Sequence, residues 1–439
     1  MKGPDIVTTP PGTKAQAIID GDDRLLMTTT KTSPVVGVRG EGAMIEDVDG
    51  NVYIDFTSGI GVTNTGHCHP RVVEAITEQA KLLHHFAGTD FYYEAQVSLA
   101  RKLVDIAPGD HEKKVFFTNS GTESVEAAIK ITRWHTQKQH FIGFVGAFHG
   151  RTMGSLALTA SKPVHKDRFF PWMPGAVHVP YPNAYRPVKG VDTDDLTTFV
   201  IDMIEKHLDA YLGDQVAGIF VEPIQGEGGY VIPPANFLPT LQKLANDRGI
   251  PVVADEVQAG FGRTGKMFAS ENFGFVPDLI TMAKGMGSGM PIGAVVANAK
   301  MDFGVQGAHS NTYGGNLVAS AAAMATIDVI QDENLCENAV VQGKLVMDRL
   351  KELQERYPKI GDVRGLGLMI AAEFVEDPET KEYAADLRNR IVEESYKRGL
   401  ILLPCGRSAI RFIPPLIIKE EQVTAAMDVF DEAVAASAK

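Results

Sequence analysis

Apolar residues along this chain gather in short runs that stop at a polar residue beside turn chemistry, and between the runs they recur at helical spacing. Six such runs occupy the middle of the sequence, at 114–118, 141–145, 216–221, 250–254, 279–282 and 292–297. Each is too short for an ordinary helix and too continuously apolar for a strand with one wet face, so they predict strands buried on both sides. The stretches between them, such as 125–135 and 199–212, carry a helical period. Alternating strand and helix predicts an α/β fold: a mostly parallel sheet with helices on both faces.

The flanks have a different texture. Residues 1–40 mix Pro, Gly, Thr and charge, which predicts an extended arm with one short helix at 14–20, the kind of arm that lies across a partner subunit. Residues 43–56 alternate and turn at Asp49-Gly50-Asn51, a hairpin pattern. Helices are predicted at 70–83, opened by Pro70, and at 94–106. Beyond Asn316 come helical patterns at 318–331 and 338–356. Short apolar stretches follow at 361–367, 369–374, 401–404 and 409–413, then a closing helix from Lys419. The expected division is therefore 1–68 as arm and part of a small α+β domain, 69–330 as a large domain, and 331–439 as the rest of the small domain.

Composition narrows the function. A chain of 439 residues has material for two domains and a large core. A net charge of -13 argues against general binding to nucleic acid or anionic membrane and leaves small molecules as the expected partners. Cys68, Cys336 and Cys405 are too few and too scattered for a disulfide framework, which fits a reducing compartment and the cytoplasm. No apolar core follows the charge at Met1-Lys2-Gly3, and no stretch reaches the roughly 18 apolar residues of a membrane span.

The strand ends carry the candidate chemistry. Asp255 closes one run and Lys284 follows another, so a carboxylate and an amine are expected at the carboxyl edge of one sheet, where open α/β sheets bind ligands. Alone, the Asp reads as a turn cap and the Lys as a surface charge. Together they suit pyridoxal phosphate, which needs a lysine for its aldehyde and an acid behind its ring nitrogen. Ser120-Gly121-Thr122, between a strand and a helix, forms a candidate phosphate site from backbone amides and hydroxyls, with a plain helix cap as the simpler reading. Phe148, followed by His149, comes after the next strand with an aromatic face for a flat cofactor, and Arg151 offers a fork for a substrate carboxylate; taken alone, they read as a core Phe and a surface Arg.

Three look-alikes are set aside. The stretch 260–267 nearly matches a nucleotide phosphate loop, but Met267 stands where magnesium needs a hydroxyl. The glycines at 285, 287 and 289 lack the spacing of a dinucleotide loop. His67-Cys68-His69 has no second ligand pair at zinc spacing.

Taken together, the segments from Ile54-Asp55-Phe56 to Ile410-Arg411-Phe412, and above all 252–289, resemble the class III, ω-amino-acid aminotransferases of the fold type I pyridoxal-phosphate enzymes. The resemblance implies a large domain with a mostly parallel seven-stranded sheet and a small α+β domain built from both chain ends. It also implies a homodimer, or a tetramer formed by two such dimers, with active sites at the subunit interface. Lys284 would be the Schiff-base lysine and general base, Asp255 the partner of the ring nitrogen, Gln258 a contact to the phenolic oxygen and Phe148 the stacking ring, with His149 beside it. Ser120, Gly121 and Thr122 would hold the phosphate, joined by Thr312 from the neighbouring subunit.

For substrate, the resemblance implies Arg411 for the α-carboxylate of 2-oxoglutarate or glutamate, and Glu222 as the acid that masks it while an ω-amine donor is bound. Arg151 would take the far carboxylate, and Ile60 and Phe86 would shape the pocket. An aliphatic residue at Ile60 favours 4-aminobutyrate over ornithine as donor, in a ping-pong exchange with 2-oxoglutarate through pyridoxamine phosphate. The alternatives are an ornithine, acetylornithine or lysine ω-aminotransferase, an amino-acid racemase of the same family, which Arg151 disfavours, or a binding protein that kept the fold and lost catalysis.

Overall fold

A seven-stranded sheet runs through the computed structural model, which describes residues 3–437. From one edge to the other its strands are Lys113–Thr118, Gly293–Asn298, Leu279–Met282, Val252–Asp255, Val216–Val221, His140–Phe144 and Ala176–Val179. Only Gly293–Asn298 runs against its two neighbours, and the pairs beyond it are parallel. Alternation along the strands explains the continuous apolar runs. Ile219, Val221, Val252 and Ala254 pack beneath the helices Leu196–His207 and Phe237–Asp247, whereas Phe220, Val253 and Leu279 face the helix Gly121–Thr136. With both faces covered, no position on Val216–Val221 remains exposed.

The chain ends meet. Met44–Asp47 and Val52–Asp55 form the expected hairpin, Gly37–Glu41 adds to its outer side, and Leu400–Ile401 joins Val52–Asp55 in parallel, with Leu400 opposite Ile54. A separate antiparallel sheet orders Ile360–Leu366, Met369–Phe374, Ala409–Phe412 and Leu403–Cys405, which sets Arg411 between Ala371 and Leu403. Among the described residues no helix is long and apolar enough to cross a membrane.

Several elements depart from the sequence expectation for identifiable reasons. The first helix spans Thr13–Leu25 rather than 14–20, and its start is capped from a distance: Asp49 in the hairpin turn accepts from the backbone N–H of Lys14 (3.1 Å) and Ala15 (2.9 Å). The strand Ala176–Val179 was not anticipated, being four residues long at the sheet edge with His178 in its middle. Helix Phe237–Asp247 opens without a side-chain cap. Helix Ala385–Lys397 buries only a narrow stripe that includes Leu387, Ile391, Val392 and Tyr396, and charge hides its period.

The stretch 260–267 has a structural use. Arg263 is fully buried, and its guanidinium donates to Asn64 Oδ1 (2.7 Å), to the carbonyls of Leu368 (3.3 Å) and Pro414, and to Ser58 Oγ (3.4 Å). One side chain thus ties the loop to three distant segments. Desolvation pushes its pKa down to about 10, so its charge is held by hydrogen bonds rather than by a carboxylate in direct contact. Arg263→Ala is expected to lower stability by about 3 kcal/mol or more, since it leaves buried acceptors unpaired and opens a cavity. Urea unfolding checks this, with Arg263→Met falling between wild type and Ala.

Candidate active site

A cavity of about 390 Å³ opens at the carboxyl ends of the parallel strands, within the range of small-molecule sites. Lys284 enters it from a turn just past Leu279–Met282, with a left-handed φ of 42°. Burial, and after it the nearby Arg411 guanidinium, pushes the Lys284 amine down to about 8. A sizeable fraction is therefore uncharged and nucleophilic close to neutral pH.

Asp255, the last residue of its strand, lines the same cavity and is 5% exposed. Its Oδ2 lies 2.8 Å from His149 Nδ1, and its Oδ1 accepts from the backbone N–H of Val257 at 3.0 Å. Burial works against a charge on His149, but the Asp255 hydrogen bond and charge outweigh it and raise the pKa of the imidazole. His149 Nε2 is buried without a partner. The pair fixes the carboxylate in place while keeping it in a dry setting.

Ser120 caps the helix Gly121–Thr136, its Oγ accepting from Glu123 N–H at 3.4 Å. Thr122 Oγ1 lies 2.8 Å from Thr152 Oγ1 and 2.7 Å from Ser155 Oγ, so hydroxyls and the helix dipole converge on this wall. Gly121 has no room for a side chain, because a Cβ there would meet Val257 Cγ1 at 2.7 Å. Phe148 forms another wall, with the Arg151 guanidinium 5.0 Å from its ring centroid and His165 edge-on at 5.4 Å. Gln258 Oε1 is buried without a partner beside them.

An amine, a carboxylate, a helix N-terminus, an aromatic wall and an unpaired amide oxygen share one cavity. That set fits pyridoxal phosphate: Lys284 for its aldehyde, Asp255 for its ring nitrogen, and Ser120, Gly121 and Thr122 for its phosphate. Comparison of the sequence with known families points to the same cofactor. The profile described as Aminotransferase class-III matches residues 27–434. The chain belongs to the class III aminotransferases. An alanine/serine racemase of Pyrococcus horikoshii is 39% identical over 99% of this chain and 93% of its own. A probable 4-aminobutyrate aminotransferase of Bacillus subtilis is 39% identical over 90% and 92%. The omega transaminase of Pseudomonas jessenii in complex with PMP superposes with a TM-score of 0.90 at 30% identity, covering 95% of this chain and 97% of that one. Class III aminotransferases use pyridoxal phosphate, and the chain has the enzyme fold throughout.

The expected role of Glu222 needs correction. Its Oε1 accepts from Phe148 N–H and its Oε2 from Gly226 N–H, both at 2.8 Å, so it is tied to its own turn, and burial pushes its pKa up to about 7. The carboxylate on Arg411 belongs to Glu227, whose Oε2 accepts from Arg411 Nη2 at 3.2 Å. Glu227 lines the cavity. Its position between Gly226 and Gly228-Gly229 was the available signal: a lone acid in a glycine stretch can approach where bulkier neighbours could not.

Ser120, Gly121, Thr122, Phe148, His149, Arg151, Glu222, Asp255, Gln258 and Lys284 all line this cavity, and Arg411 is reached through Glu227. Ile60, Phe86 and Thr312 do not line it. Ile60 sits in a left-handed turn with φ 71° and is 47% exposed, Phe86 stacks on Phe91 at 4.1 Å, and Thr312 is exposed. His67 and His69 go to different carboxylates, Asp55 at 2.8 Å and Glu333 at 3.2 Å, so they do not converge.

The buried amine has a consequence for the apoprotein. Between about 8 and the ordinary 10.5 the unfolded chain binds a proton at Lys284 that the folded chain does not, so stability rises with pH across that window. Below pH 8 the buried charge opposes folding by up to about 3 kcal/mol. Lys284→Met is expected to stabilise the apoprotein at pH 7 by up to that amount, and the gain should vanish near pH 10.5. Denaturant titration of both proteins at several pH values measures it, and a destabilised or pH-independent variant would count against the assignment.

Proposed function

We propose that this aminotransferase moves the ω-amino group of 4-aminobutyrate, or a similar ω-amino acid, to 2-oxoglutarate. The observation that carries this reading is Arg411. It is 6% exposed, its Nε and Nη1 meet no acceptor at ordinary hydrogen-bond geometry, and beside the guanidinium stand the Glu227 carboxylate on Nη2 and the buried Tyr230 hydroxyl. A guanidinium held dry and half satisfied is suited to a carboxylate that comes and goes. Glu227 on Arg411 suits a donor with no α-carboxylate; Glu227 displaced suits an acceptor that has one.

The other side chains have matching tasks. Lys284, while neutral, would hold the cofactor by its aldehyde and, as a free amine, would move the proton at the substrate carbon that carries the amino group. Asp255, oriented by His149, presents its carboxyl group at the back of the cavity. Arg151, exposed at the cavity mouth, takes the distal carboxylate. Bound pyridoxal phosphate supplies the aldehyde that accepts the amine and the protonated ring that draws electrons from the substrate. Thr312 and Phe86, which lie outside their own cavity, would complete that of a second copy in a homodimer.

The purified protein should be yellow. It should bleach when 4-aminobutyrate is added alone and recover when 2-oxoglutarate follows, releasing glutamate. A spectrum indifferent to every ω-amino donor would contradict the reading. Interconversion of alanine or serine enantiomers without any keto acid would favour racemisation in its place. Asp255→Asn should lower kcat by about 100-fold or more, because the amide cannot hold the ring proton.

A further inference from the structure

Glu227 has a second cation. While its Oε2 faces Arg411, its Oε1 accepts from Lys162 Nζ at 2.5 Å. The two cations differ in setting: the Arg411 side chain is 7% exposed and that of Lys162 is 31% exposed. The carboxylate therefore bridges a dry guanidinium and a wetter ammonium. Sharing both cations, with the charge of Arg411 first among them, holds its pKa below the usual carboxylate range even though burial opposes this.

Both ends of the Lys162 contact are fixed by backbone. Pro163 follows Lys162 and restricts it to the extended region, where it sits with φ -149° and ψ 142°. A short turn over Pro163–His165 then anchors the segment, with His165 N–H donating to the Lys162 carbonyl at 3.2 Å. On the other side the Glu227 carbonyl accepts from Gly406 N–H at 2.8 Å, and a Cβ at Gly228 would meet the Gly146 carbonyl at 2.6 Å. The main chain at Glu227 is thus held on both sides, and the side chain is the part free to turn.

From this geometry we infer that Lys162 is the positioning residue that retains the Glu227 carboxylate when a substrate carboxylate displaces it from Arg411. The inference rests on the proposed dual use of Arg411 and adds to it the cation that makes the displacement cheap. Without Lys162, Glu227 would have to leave Arg411 for water, or remain there and exclude the dicarboxylate. Lys162 does not line the cavity and meets it only through Glu227, which does, so Lys162 acts on the choice between the two substrates and has no part in the bond-making steps.

The test is a double-mutant cycle on the pyridoxal-phosphate-loaded protein, reading glutarate binding by calorimetry and the KM of each substrate. Lys162→Met is expected to weaken glutarate about tenfold, or about 1.4 kcal/mol, and to shift the ratio of the 2-oxoglutarate and donor KM values by the same factor. Lys162→Arg should restore both. Glu227→Gln alone should tighten glutarate, and adding Lys162→Met to it should change nothing further. If Glu227→Gln leaves glutarate binding unaltered, the dual use of Arg411 fails, and Lys162 with it. If Glu227→Gln tightens glutarate but Lys162→Met has no effect, or weakens it equally in the Glu227→Gln background, the dual use survives and the role of Lys162 is overturned.

Discussion

The structure depends on keeping a buried amine and a buried carboxylate in one cavity without letting them neutralise each other. Asp255 is already occupied by His149 and by the Val257 N–H, and among the described residues no carboxylate lies within ion-pair distance of Lys284. Had the two paired, the amine would have stayed charged and unreactive. The fold therefore holds the lysine in a setting that opposes its charge, and the large sheet and its two helical layers provide the stability to sustain it. Strand ends are suited to this. Their backbones are fixed by the ladder, so side chains on adjacent strands hold separations that a loop could not maintain.

The carboxylate chemistry comes from elsewhere in the chain. Arg411 belongs to an antiparallel sheet near the C-terminus, Glu227 to the glycine-rich turn after Val216–Val221, and Lys162 to the segment after the strand His140–Phe144. These three meet at one side of the cavity only because Gly406 docks on Glu227 and Arg364 donates to the carbonyls of Gly229 and Tyr230. On the proposed function, substrate discrimination would lie where separate parts of the chain are joined, whereas Asp255 and Lys284 stand at the ends of neighbouring strands of a single sheet. Changes at the join are then expected to alter substrate preference while leaving Lys284 and Asp255 as they are.

Much of this was legible in the sequence. The strands ending at Asp255 and before Lys284 announced themselves because a doubly covered sheet requires continuous apolar runs, and the helix after Ser120 began where its cap placed it. What escaped was non-local. The cap of the first helix is Asp49, more than thirty residues away, and the edge strand at Ala176–Val179 is too short and too polar to show a period. Glu222 and Glu227 are both acids in one motif, and the glycines flanking Glu227 were the one hint of which of them turns towards Arg411. The pattern tells which residues a strand delivers; it does not tell how a glycine-rich turn folds back.

The central claim is that Lys284 is the amine that bonds the cofactor, and borohydride trapping tests it most directly. The pyridoxal-phosphate-loaded protein is reduced, digested and mapped by mass spectrometry. The account predicts a phosphopyridoxyl adduct on Lys284 and no comparable adduct on Lys162 or any other lysine. An unmodified Lys284, or an adduct concentrated elsewhere, would contradict it.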